Sequence, residues 1–144
     1  MQKILLVEND VELGHVIKLH LEEELRVYWA KSIPRAITML DEPNIQMVIL
    51  DVMMPSEGRW SLQETGHGCR TGLLLLEEFI LPRKIRTIVY TAVSSPHLDD
   101  CKTLMQAHPE IIYNVLSKAE VSARDLVREV CDCLSGPGGG DESD

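Results

Sequence analysis

Met47-Val-Ile-Leu-Asp51 is an uninterrupted apolar run that ends in a carboxylate. Four apolar residues without polar alternation are typical of a strand buried on both faces, as in a parallel sheet. Comparable runs lie on both sides along the chain: Lys3-Ile-Leu-Leu-Val7, Arg26-Val-Tyr-Trp-Ala30, Thr87-Ile-Val-Tyr90 and the stretch from Ile111 to Leu116. The pattern predicts five short strands.

Longer amphipathic segments separate these runs. Asn9 or Asp10 can cap a first helix, in which apolar residues recur at three- and four-residue spacing. Further helices are predicted over 33–40, over 72–80, from the cap-and-proline pair Ser95-Pro96, and from the capping-box pattern 122–125. Because parallel strands need crossover helices, the alternation predicts an α/β fold, a doubly wound five-stranded parallel sheet with flavodoxin-like (βα)5 order.

The length of 144 residues fits one hydrophobic core. We expect one domain over 1–135 and a flexible, Gly-rich acidic tail over 136–144. No apolar stretch reaches membrane-spanning length, and the N-terminus has no signal-peptide pattern. The four cysteines lack CxxC spacing, which favours free thiols and a cytoplasmic location, with no membrane partner.

The formal net charge is −9, from 23 acidic and 14 basic side chains. Such a surface repels phosphate backbones, so direct nucleic-acid binding is not expected.

Polar side chains follow the predicted strands at their carboxyl ends: Glu8, Asn9 and Asp10 after the first, Asp51 after the third, Thr91 after the fourth and Lys118 after the fifth. Parallel strands bring these ends to one edge, where ligands bind. The set suits reversible phosphorylation of a carboxylate. Asp51 would attack phosphorus beside a magnesium ion, Lys118 would pair with a phosphate oxygen, and the Thr91 hydroxyl would donate to another. For Asp10 we favour a helix-capping role.

Four segments resemble the signature segments of response-regulator receiver domains, the CheY-like family: Lys3–Asp10, Val48–Pro55, Ile88–Ala92 and Val115–Lys118. They occur in the family's order and at about its spacing, between residue 3 and roughly residue 134. The resemblance implies that Asp51 is the phosphoacceptor, that Glu8 is an acid of the metal site, and that the Met53 carbonyl ligates the metal. It also implies that Thr91 and Lys118 sense the phosphate.

The same resemblance implies a histidine kinase or phosphotransfer protein as phosphodonor, magnesium as cofactor, and a downstream protein of unknown identity. It implies a switch rather than an enzyme, with at most self-phosphorylation from small donors and self-dephosphorylation. Homodimerisation through the fourth and fifth helices is common in the family, and the sequence leaves it open.

Three positions depart from the family pattern. Asn9 replaces a second acid that normally ligates magnesium. The loss of one negative charge near the ion removes gross attraction of about 4 kcal/mol per unit-charge pair. Magnesium binding is therefore expected to be weak. Ala119 replaces a proline, which predicts a trans peptide there and a different aim for Lys118. Val115 replaces an aromatic switch residue, so coupling to the output surface is expected to be weak or to use another route.

The stretch Ser56–Arg70 is longer than in a typical receiver and leads into the third predicted helix. It is either a mobile insertion or a partner-binding or active-site lid loop.

Two functions stay open, a phosphorylated switch and a non-phosphorylated pseudo-receiver that acts as a constitutive interaction module. Asn9, Val115 and Ala119 favour the second. An aspartyl-phosphate phosphatase would need a carboxylate at Met53, and a nucleotide-binding enzyme a glycine-rich loop after the first strand, so neither is expected.

Overall fold

A computed structural model describes residues 1–136. Strands and helices alternate along these residues: β1 (Lys3–Val7), α1 (Val11–Leu21), β2 (Arg26–Ala30), α2 (Ile33–Met39), β3 (Ile45–Leu50), α3 (Thr71–Leu75), β4 (Arg86–Thr91), α4 (Ser95–Ala107), β5 (Ile112–Ser117) and α5 (Ala123–Ser135). All strand pairs are parallel, in the order β2-β1-β3-β4-β5. The predicted α/β class and five-stranded parallel sheet are confirmed. The predicted domain boundary stays a prediction, since 137–144 lie outside the described residues.

Both faces of the sheet are covered, which is why the strands are apolar throughout. On one face, Leu5 and Val7 join a core shared with α2, α3 and α4. On the other face, Ile4 and Leu6 join a core shared with α1 and α5. Successive side chains of a strand point to opposite faces, so one apolar run supplies both cores. Across residues 1–136, every helix is too short or too polar to cross a membrane.

Side-chain caps fix the starts of two helices as the sequence predicts. The Leu13 amide donates to Asp10 Oδ1 at 3.1 Å, and the Asp125 amide donates to Ser122 Oγ at 3.2 Å. At α4 the predicted cap was wrong by one residue, because Ser94 holds the cap position and Ser95 is the first helical residue. Proline is then second in the helix, where its missing N–H is one of the donors that a first turn leaves free.

The third predicted helix, 72–80, has a different form in the structure. After α3 the chain widens into a π-helical turn over Leu76–Ile80 and tightens into a 3₁₀ turn over Leu81–Arg83. Pro82 has no N–H to donate to the carbonyl of Glu78, so an α-helical ladder cannot continue through it. Lys84 ends the segment in the left-handed region, with φ of 55°.

The start of α3 lies against the backbone that follows β3. The Gly72 amide donates to the Val52 carbonyl at 2.8 Å. A Cβ atom at Gly72 would lie 2.6 Å from Val52 Cα and would also collide with the Asp51 carbonyl oxygen. Only glycine allows this approach without a backbone shift.

We predict that Gly72→Ala lowers the free energy of unfolding by about 1–3 kcal/mol, the usual cost of overpacking. Urea unfolding followed by circular dichroism measures it. Gly136→Ala is the control, because its Cβ would lie 3.4 Å from the nearest atom. Equal midpoints for the two variants would contradict the close-approach argument.

Candidate functional site

The candidate site lies at the carboxyl edge of the sheet, where β1 and β3 are neighbours although β2 separates them in sequence. Backbone hydrogen bonds continue the sheet past the strand ends. The Asp51 amide donates to the Val7 carbonyl at 3.0 Å, and the Lys118 amide donates to the Thr91 carbonyl at 2.9 Å. These bonds hold the residues that follow each strand in register. The site therefore forms where the strand order switches direction, as in other open α/β sheets.

Asp51 is almost fully buried, and both of its carboxylate oxygens have donors. Oδ1 accepts from the Thr91 hydroxyl at 3.0 Å and from the Met53 amide at 3.1 Å. Oδ2 accepts from the Lys118 ammonium at 3.2 Å. A buried charge is tolerated only when it is paired and hydrogen-bonded, and here all three donors come from the same sheet edge.

Lys118 is shared between two carboxylates. Its ammonium also lies 3.0 Å from the carboxylate of Glu8, which is 1% exposed. The peptide bond before Ala119 is trans, as expected, and Lys118 nevertheless reaches Asp51. The structure therefore brings Glu8, Asp51, Thr91 and Lys118 into one connected network.

Burial and neighbouring charges shift the pKa values of two groups in this network. Burial, together with the charge of Asp51, raises the pKa of Glu8 from 4.5 to about 7, although the ammonium of Lys118 opposes the shift. Burial lowers the pKa of Lys118, but the charges of Asp51 and Glu8 outweigh burial and the net shift is upward. Lys118 therefore stays charged, and the raised pKa of Glu8 lies near neutral pH.

Three of the predicted magnesium ligands offer the oxygen atoms that magnesium prefers, but they are few. Asn9, Asp51 and Met53 line one cavity at the site, and they offer amide, carboxylate and carbonyl oxygens, which magnesium prefers. Glu8 is turned to Lys118 and to the Asp10 amide instead, at 3.0 and 3.1 Å. Among residues 1–136, no group of three or more His, Cys, Asp or Glu side chains is arranged to hold a metal. An ion held by these three residues would have one carboxylate ligand, neutral oxygens and water.

The loop 56–70 builds one wall of this cavity, whose volume is about 730 Å³. Backbone bonds from His67 to Leu62 (2.8 Å) and from Arg70 to Thr65 (2.7 Å) fold the loop on itself. The Met54 amide donates to the Gly68 carbonyl at 3.1 Å, which ties the loop to the chain after Asp51. The loop is therefore folded on itself in the structure, and its role, as an insertion or as a partner-binding or active-site lid loop, stays a prediction.

Two aromatic residues that the sequence analysis did not single out position the site. The Tyr90 hydroxyl donates to the Val121 carbonyl at 2.6 Å and anchors the loop that carries Lys118. The Trp29 indole donates to the Glu8 carbonyl at 2.9 Å. Both side chains belong to apolar strands, so local sequence carried no sign of their hydrogen bonds.

No protein-family model and no curated protein matches this chain. Solved structures of receiver domains, in contrast, superpose on this chain. A CheY-like response regulator receiver domain protein from Methanospirillum hungatei superposes with a TM-score of 0.71 at 16% identity, covering 100% of this chain and 99% of that one. A two-component response regulator from Clostridium difficile gives 0.69 at 16% identity, covering 93% and 96%. The non-phosphorylated HemR receiver domain from Leptospira biflexa gives 0.65 at 19% identity, covering 94% and 96%.

The fold and the acidic edge thus define a doubly wound α/β protein with a site at its topological switch point. More specifically, the residues that the structure describes have the fold of response-regulator receiver domains. At the level of fold, the resemblance seen in the four sequence segments is confirmed.

The raised pKa of Glu8 predicts a pH-dependent stability. Between about pH 4.5 and 7 the folded state holds the Glu8 proton and the unfolded state has lost it. The free energy of unfolding should therefore fall as pH rises through this window, by on the order of 3 kcal/mol from Glu8 alone. Glu8→Gln removes this contribution, so urea unfolding of wild type and variant should diverge across the window in the variant's favour.

Glu24→Gln, which removes a solvent-exposed carboxylate, is the matched control and should track wild type. If Glu8→Gln also parallels wild type at every pH, Glu8 does not titrate near neutrality in the folded protein.

Proposed function

We propose that this protein is a phosphorylation switch in two-component signalling, accepting a phosphoryl group on Asp51 from a histidine kinase or phosphotransfer protein. The observation that carries the proposal is the meeting of Asp51 with the Thr91 hydroxyl at 3.0 Å and the Lys118 ammonium at 3.2 Å. A nucleophile, a hydroxyl donor and a fixed positive charge then surround one carboxylate. The receiver-domain fold supports the same conclusion.

In the proposed reaction a carboxylate oxygen of Asp51 forms a bond to phosphorus. The bond from phosphorus to the donor breaks, and its electron pair leaves with a histidine nitrogen or, for an acyl phosphate, with a carboxylate oxygen. Lys118 is placed to pair with an oxygen of the new aspartyl phosphate. Magnesium, when held by Asp51, Asn9 and the Met53 carbonyl, would neutralise charge on the transferring group.

The proposed switch begins at Thr91. Its hydroxyl now donates to Asp51, and after phosphorylation it would donate to a phosphate oxygen instead. That change moves the chain after β4, which leads directly into α4. Val115 is buried and carries no polar group that could report the change through β5. The start of α4 is therefore the proposed surface for the downstream protein.

The pseudo-receiver is a second candidate, favoured by the same network. Three internal donors already satisfy Asp51, so the site is complete without a phosphate. Asn9 weakens the attraction for the metal that phosphoryl transfer would use. In that case the fold is a constitutive protein-interaction module.

Location and assembly belong to this proposal as well. The four cysteines are free thiols in the structure, which fits the cytoplasm. Homodimerisation through α4 and α5 stays open.

The deciding experiment is the intact mass after incubation with acetyl phosphate and magnesium. Wild type should gain one phosphoryl mass, and Asp51→Asn should gain none, because the nucleophile is gone. Asp132→Asn is the matched control, since Asp132 is exposed on α5 and is not among the residues that line the cavity. A folded wild type without an adduct at millimolar magnesium would favour the pseudo-receiver.

Asn9→Asp should increase the apparent magnesium affinity at least tenfold, judged by the magnesium dependence of adduct formation. An added carboxylate at the cavity mouth contributes attraction of a few kcal/mol before screening, and tenfold requires about 1.4 kcal/mol. Asn44→Asp, remote in the sheet connection before β3, is the charge-matched control. Identical magnesium dependence in Asn9→Asp and wild type would show that residue 9 does not face the ion.

A further inference from the structure

The cavity beside Asp51 is large for a site that only receives a phosphoryl group. Its volume of about 730 Å³ lies within the range of about 300–1,000 Å³ typical of small-molecule sites. A phosphoryl group and a hydrated magnesium ion occupy only a fraction of that space. The remaining volume is open to solvent and lies against the loop 56–70.

The wall contributed by this loop is preformed and apolar at its base. Trp60 is 8% exposed, with its indole donating to Glu78 at 3.0 Å. The Thr65 hydroxyl donates to the Ser61 carbonyl at 3.1 Å and accepts from the Gly68 amide at 3.2 Å. Such bonds hold the wall in place before any ligand arrives, so little ordering entropy opposes binding.

Large apolar side chains continue this wall to the cavity mouth. Met53 is 39% exposed and Leu62 67% exposed, and both line the cavity together with buried Met54. Methionine side chains adapt to varied apolar shapes and make favourable contacts with aromatic rings. An alkyl or aromatic body of moderate size therefore matches this side of the cavity.

Acidic side chains also line the cavity, one of them on the loop 56–70 itself. Asp10, Asp51 and Glu57 line the cavity, and Lys118 is the one ammonium or guanidinium group among the described lining residues. That ammonium is already shared between Asp51 and Glu8, at 3.2 and 3.0 Å. The charge left to a ligand is thus negative, and its complement is a cation.

We propose that this cavity is a binding site for a small amphipathic organic cation, with its ammonium group toward the carboxylates and its apolar body against Met53, Trp60 and Leu62. Binding does not depend on phosphorylation. A bound ligand covers Asp51, so it would also slow phosphoryl transfer, a consequence that rests on the proposed function.

Isothermal titration calorimetry on the full chain tests the proposal with phenylbutylamine, and with phenylbutanol and phenylvalerate as neutral and anionic matches. The amine should bind at one site with a dissociation constant of about 1 mM or below. The alcohol and the carboxylate should bind at least tenfold more weakly. The buffer contains neither magnesium nor phosphodonor, so a chain that is never phosphorylated still gives a decisive result.

Two surface variants locate the site. Leu62→Ser should weaken amine binding about fivefold through lost apolar contact, whereas Leu19→Ser, equally exposed on α1, should not. Glu57→Gln should weaken it and Glu24→Gln should not. The proposal is overturned if the amine gives no saturable heat, if the three probes bind alike, or if Leu62→Ser and Glu57→Gln match their controls.

Discussion

The ammonium of Lys118, held between the carboxylates of Glu8 and Asp51, is the interaction on which the rest of the site depends. Both carboxylates are nearly inaccessible to water, and breaking a buried ion pair by removing one partner typically costs about 3–5 kcal/mol. Glu8, Asp51 and Lys118 follow β1, β3 and β5. Their two ion pairs therefore require these three strands to end at the same level of the sheet. The charge arrangement of the site therefore depends on the register of the strands.

Access of a ligand to Asp51 depends on the segments that surround it. Gly72 lies directly on the backbone of Asp51 and Val52, and this approach sets where α3 begins. The preceding loop must then span from Pro55 to α3 across the mouth of the site, and the Met54–Gly68 backbone bond holds it there. The same carboxylate is thus the proposed phosphoacceptor and also lines an apolar-walled cavity.

Much of this arrangement could be predicted from the sequence, because it depends on short-range patterns. All five strands lie within two residues of their predicted ends, and Asp10 and Ser122 cap helices as expected. The errors came where neighbours in space or a single proline outweigh periodicity, as at the 72–80 segment before Pro82. Asp51, Thr91 and Lys118 meet as expected since parallel strands bring their carboxyl ends together.

The sequence by itself determined the sheet, its two-sided core and the polar residues at its edge, because period and strand-end position are local properties. Only the tertiary structure decided what those residues do to one another. The structure pairs the carboxylate of Glu8 with Lys118, a residue 110 positions away, and burial raises its pKa to about 7, while its role as an acid of the metal site stays a prediction. The cavity also required the folded loop, since no local pattern encodes which apolar side chains of 53–68 converge beside Asp51. Burial and long-range contact, unlike periodicity, exist only once the chain has packed.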